Sequence, residues 1–65
     1  MKPQTVKELR HCMGMTQKAF SEYFEISYRT LQRWEANPEL MPSYVFHLML
    51  YKYENELAKG NLVAH

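Results

Sequence analysis

Arg29 and Arg33 stand four residues apart in the stretch Tyr28-Arg29-Thr30-Leu31-Gln32-Arg33-Trp34-Glu35, with Gln32 between them and Tyr28 just before. Side chains advance by about 100° per residue on an α-helix, which gathers Tyr28, Arg29, Gln32 and Arg33 on one side and sends Leu31 and Trp34 to the other. The chemistry open to the polar side is planar hydrogen bonding. A guanidinium can donate two parallel bonds to guanine O6 and N7, a carboxamide can pair with adenine, and a tyrosine can touch a thymine methyl or a phosphate. Gln17, Ser27 and the amides that open the preceding helix are candidates to hold phosphate, which fixes register without reading sequence, and Lys7 and Lys18 are looser candidates for the same role. The alternative for the two arginines is a solvated helix face.

The elements that must position these groups are legible around them. Thr16 and Ser27 can each cap a helix, because a hydroxyl oxygen accepts from amides that lack an intrahelical partner. Phe20 and Phe24 give the first of these helices an apolar stripe at i, i+4. The joint between them, Phe24-Glu25-Ile26-Ser27, is so short that the helices must cross steeply. The second is then held out as a probe, the arrangement of a helix-turn-helix.

Before this unit, Thr5 with Glu8 three residues on has the spacing of a capping box. A helix from there to about Met13 would turn Val6, Leu9 and Met13 inward, end at Gly14 and leave Met15 packed just beyond it. After it, Pro38 and Pro42 forbid a continuous helix. Ser43, a candidate cap, then opens the longest element, which stops near Lys59-Gly60. Its apolar residues fall on two stripes, Phe46, Met49, Leu50, Tyr53 and Leu57 on one and Tyr44, Leu48 and Tyr51 on the other. One stripe suffices for the core of a small domain. The second predicts an interface with another protomer, against the alternative of amphipathic tyrosines that merely edge the domain. Helices are therefore expected at about 5–13, 16–24, 27–36 and 43–59, with a tail 60–65 that carries no pattern.

Sixty-five residues allow one domain, and a net charge of +1 is modest for a nucleic-acid binder. Distribution has to carry that argument: Lys7, Arg10, Lys18, Arg29 and Arg33 all precede Trp34, whereas Glu39, Glu54 and Glu56 follow it. With 46% apolar and 14% aromatic residues the composition is globular. A single cysteine suits a reducing compartment. Neither a signal peptide nor a membrane span is expected, which points to the cytoplasm and, for a DNA binder, the nucleoid. No cofactor or metal site is expected: His11 and Cys12 point about 100° apart on a helix, and His47 and His65 have no companion at ligand spacing. No serine has a His and an acid arranged for catalysis, so an enzyme is not expected.

Leu9-Arg10, Gly14, Thr16-Gln17, Ile26-Ser27 and Thr30 to Glu35, in this order and at these spacings, make the chain from Val6 to about Pro42 resemble the helix-turn-helix domains of phage repressors, Cro proteins and related bacterial regulators and antitoxins, the lambda-repressor-like or Xre type. The resemblance implies an all-α fold, a compact domain of four helices or five, with an ion pair from Arg10 to Glu35 that clamps the first helix to the third. It implies a sequence-specific regulator of transcription that binds double-stranded DNA as a homodimer, either a phage-like repressor or an antitoxin that represses its own promoter and has a toxin as a further partner. One departure is Glu25, where the family usually has glycine in a turn position that often needs positive φ. A second function class stays open, a protein-interaction module that keeps the fold and uses its aromatic fourth helix.

Overall fold

The computed structural model describes residues 2–63. They form four α-helices, α1 (Val6–Cys12), α2 (Gln17–Tyr23), α3 (Tyr28–Ala36) and α4 (Ser43–Ala58), and a single 3-10 turn at Pro38–Leu40. There is no strand among the described residues, and the end of the tail, Ala64 and His65, lies outside them.

The first three helices start on hydroxyl caps. Thr5 Oγ1 accepts from the Glu8 amide at 3.2 Å, Thr16 Oγ1 from Ala19 at 3.1 Å and Ser27 Oγ from Thr30 at 3.4 Å. The first cap differs from an ordinary capping box in one respect: Glu8 Oε1 takes the amide of Gln4 at 2.7 Å, so the return bond closes one residue before the cap. The fourth helix corrects an expectation. Ser43 is its first helical residue and caps nothing; Pro42 occupies the cap position, with φ −59 and ψ 134 and no side-chain bond. A proline keeps the residue before it out of the helical region, and Met41 is accordingly extended at φ −82 and ψ 125, so the helix cannot start before Pro42.

Three of the helices end by the same device. At α1 the Met15 amide returns to Arg10 O at 3.3 Å and Gly14 to His11 O at 3.0 Å; at α2 Ile26 returns to Ser21 O at 2.9 Å and Glu25 to Glu22 O at 3.2 Å; at α4 Asn61 returns to Glu56 O at 2.9 Å and Gly60 to Leu57 O at 3.0 Å. Each pair is a Schellman motif, which needs a left-handed residue just past the cap. Gly14 at φ 65 and Gly60 at φ 80 supply it without a Cβ penalty, whereas Glu25 supplies it at φ 57 with one.

These stops aim the helices at a shared core of Val6, Leu9, Met13, Phe20, Leu31, Met49 and Tyr53, with Cys12, Met15, Trp34, Phe46, Leu50 and Leu57 among the side chains packed partly buried around it. Leu31 is fully buried and is the one buried residue of α3. The expected inner stripe of α4 thus divides into buried Met49 and Tyr53 and half-buried Phe46, Leu50 and Leu57, and Tyr44, Leu48 and Tyr51 lie outside it, 68%, 66% and 61% exposed. No described helix is long and apolar enough to cross a membrane.

Candidate nucleic-acid interface

The polar side of α3 is built from the cap outward. Ser27 holds the start of the helix through Thr30, Leu31 fixes its rotation by filling the core, and Tyr28, Arg29, Gln32 and Arg33 are then left exposed. Tyr28, at 48% exposure, keeps part of its ring against the protein.

Behind this face stands an ion pair between helices. Arg10 Nε donates to Glu35 Oε2 at 2.7 Å and Arg10 Nη2 to Glu35 Oε1 at 3.0 Å, while Nη1 donates to the Met15 carbonyl at 3.1 Å. Both side chains are largely enclosed, with 14% of Arg10 and 6% of Glu35 exposed. One cation therefore joins α1, the segment after it and α3. Burial pushes the Glu35 carboxyl up, but the hydrogen bonds from Arg10 and Gln17 and the charges of Arg10 and Lys7 outweigh it and hold its pKa below the ordinary value. A bidentate pair of this kind fixes the relative placement of its helices more than it adds net stability, because desolvation offsets much of the attraction.

Gln17 extends the cluster to α2. Its Nε2 donates to Glu35 Oε1 at 3.1 Å, and its Oε1 accepts from the Tyr28 hydroxyl at 3.4 Å. The sequence suggests Gln17 only as a phosphate contact. It has these two internal partners besides. Of the remaining candidates, Lys7 on α1, Lys18 on α2 and Ser27 are exposed. The structure thus brings Gln17 and Tyr28 together around Glu35 and Arg10, leaves Arg29, Gln32 and Arg33 on the open face of α3, and sets Tyr44, Leu48 and Tyr51 on a different helix.

Two features have no counterpart in the pattern of the sequence. Lys52 of α4 lies over the rings of Tyr23 and Phe24, its Nζ 4.7 Å and 5.8 Å from their centroids, and so covers the end of α2. A groove between residues 2–6 and the start of α4, lined by Val6, Phe46 and Leu50 among others, lies apart from the α3 face. Signals for either would have to join residues far apart in the chain. Among the described residues no three His, Cys, Asp or Glu side chains converge to hold a metal.

Compared with curated proteins, the chain is similar to the Type II methyltransferase M.MspI of Moraxella sp, with 42% identity over 45 residues. The matched region is 68% of this chain but 11% of that protein, so the likeness is to a small segment of a much longer enzyme. No protein-family model matches the chain, and no solved structure does.

Proposed function

We propose that this chain is a sequence-specific module for double-stranded DNA, a transcriptional regulator of the phage-repressor and Cro kind or an autoregulating antitoxin, in which α2 and α3 act as a helix-turn-helix. It catalyses nothing itself and works in the cytoplasm, at the nucleoid. The observation that carries this reading is the division of α3: Leu31 is sealed in the core while Tyr28, Arg29, Gln32 and Arg33 stand exposed on a helix braced from behind by Glu35. A major groove about 12 Å wide admits such a helix, and its first turns then meet base edges. Arg29 and Arg33 donate in pairs to guanine, Gln32 serves adenine, and Lys7, Gln17, Lys18 and Ser27 hold phosphate. The exposed stripe of Tyr44, Leu48 and Tyr51 pairs two protomers on a palindrome, and in the antitoxin form a toxin would be a further partner. We read the likeness to a segment of a Type II methyltransferase in the same direction, as a module that works on DNA.

A second reading, a protein-interaction module, is favoured by the same exposed stripe on α4 and by the net charge of only +1. An electrophoretic mobility shift of the protein on the DNA upstream of its own coding sequence, repeated at two salt concentrations, separates the two. A DNA reader retards that duplex and loses affinity steeply as salt rises, because binding releases counterions from phosphate. No retardation at low salt would leave the interaction module.

A further inference from the structure

The groove between residues 2–6 and the start of α4 encloses about 440 Å³, within the range of roughly 300 to 1,000 Å³ typical of small-molecule sites. Its floor is apolar. Pro3 and Val6, both buried, form one wall, and Phe46 and Leu50, half-buried, form the other. Along α4 it runs from Ser43 to Leu50, about 10 Å at the rise of a helix, which is far short of the roughly 800 Å² that a protein partner covers on each side. The occupant that fits is therefore small.

Charge decides what kind. Lys2 and His47 also line the groove, both exposed, and no Asp or Glu is among the described residues that line it. A cation with a donor imidazole and no acid beside them favours an anion over a cation. The one carboxylate that Lys2 meets comes from outside the lining: Glu54 Oε2, on α4 one turn beyond Leu50, lies 3.4 Å from Lys2 Nζ. With 79% of Lys2 and 47% of Glu54 exposed, that pair is worth little, and exchanging its carboxylate for another costs correspondingly little. We propose that the groove binds a small soluble carboxylic acid with an apolar body, the body on Val6, Phe46 and Leu50 and the carboxylate at Lys2 in place of Glu54. None of these residues lies on the polar side of α3, so the inference goes beyond the DNA reading and stands or falls apart from it.

Octanoate and octan-1-ol share an apolar chain and differ in charge, which makes them the probes. Amide chemical shifts of the whole chain are followed by NMR as each is added at low salt. Octanoate should give saturating shifts at Val6, Phe46, His47 and Leu50 and bind more tightly than the alcohol. Lys2→Gln should weaken octanoate roughly two- to fivefold, the worth of one exposed charge contact, and leave octan-1-ol unchanged. Glu54→Gln should act in the opposite direction and tighten octanoate by a similar factor, because it removes the competing carboxylate. A merely structural Lys2–Glu54 pair would make both variants shift affinity the same way. Equal affinity for the two probes, or octanoate binding that neither variant alters, would overturn the assignment to an acid. Shifts that do not saturate and centre on Tyr44, Leu48 and Tyr51 would be adsorption to the outer stripe of α4 and would overturn the site itself. Shifts at the four reporter amides on dilution of the protein alone would give the groove to a second copy and overturn it as well.

Discussion

At the scale of single residues, holding DNA and reading it make different demands, and the exposed cations of this chain can be sorted by them. On the proposed interface Arg33→Ala should cost roughly 1 to 3 kcal/mol on the preferred duplex and relax the choice of base at one position, because a bidentate arginine discriminates as well as attracts. Lys18→Ala should weaken matched and scrambled duplexes by a similar factor and flatten the dependence of log K on log salt by about one unit for each phosphate that is no longer neutralised. Titrations on both duplexes at several salt concentrations distinguish the variants, and equal losses for Arg33→Ala would make it a phosphate contact. A second residue-scale prediction concerns Glu25. Its φ of 57 is a conformation that costs a side-chain-bearing residue about 1 kcal/mol. Glu25→Gly should therefore raise the urea midpoint with an unchanged slope, by an amount worth about 0.5 kcal/mol once the greater freedom of glycine in the unfolded chain is subtracted. A lower midpoint would mean that the Glu25 side chain stabilises the turn in some way its backbone does not reveal. The unusual residue was visible in the sequence; its geometry was not, because a turn lacking glycine could also have taken another shape.

At the scale of elements, what was legible is what is local. Thr5, Thr16 and Ser27 each bond an amide three residues on, so a hydroxyl ahead of an apolar period was enough to place the starts of α1, α2 and α3. Ser43 misled because the same signal sits directly after Pro42, which takes the cap position itself at ψ 134 and leaves Ser43 as the first helical residue. The partners of Gln17 lie 11 and 18 residues away in sequence, and no periodicity connects them. That cluster also gives the elements a dependence on pH. Because the folded-state pKa of Glu35 is depressed, its contribution to stability is complete above the unfolded carboxyl pKa of about 4.3, and it is lost as pH falls through the lower folded value. The difference in unfolding free energy between the unmodified protein and Glu35→Gln should accordingly be constant near neutrality and shrink progressively below about pH 4.3. Denaturant melts at a series of pH values read it directly; a difference that grew on acidification would reverse the assigned sign.

At the scale of the whole molecule, the open question is what covers the outer stripe of α4. The described residues span 30 × 21 × 18 Å, and a domain of this size buries a smaller share of its surface than larger ones do, so apolar area left outside is a sizeable fraction of what folding could have used. Tyr44, Leu48 and Tyr51 are each more than 60% exposed, and their spacing of four and then three residues puts them in one row along the helix. A row shared by two copies about a two-fold axis meets itself, which is the geometry of an isologous dimer. If the proposed dimer forms, it can set two α3 helices about 34 Å apart, one turn of DNA, and the preferred duplex should be a palindrome. Sedimentation equilibrium at high micromolar concentration should then report a dimer for the unmodified protein. Tyr44→Glu combined with Tyr51→Glu should report a monomer with undiminished helicity, since neither side chain belongs to the core and like charges across the axis oppose association. The monomer should still bind a half-site, but without the gain in affinity that comes from tethering two reading helices. A pure monomer for the unmodified protein at that concentration would remove the dimer and leave the α4 stripe to a different partner.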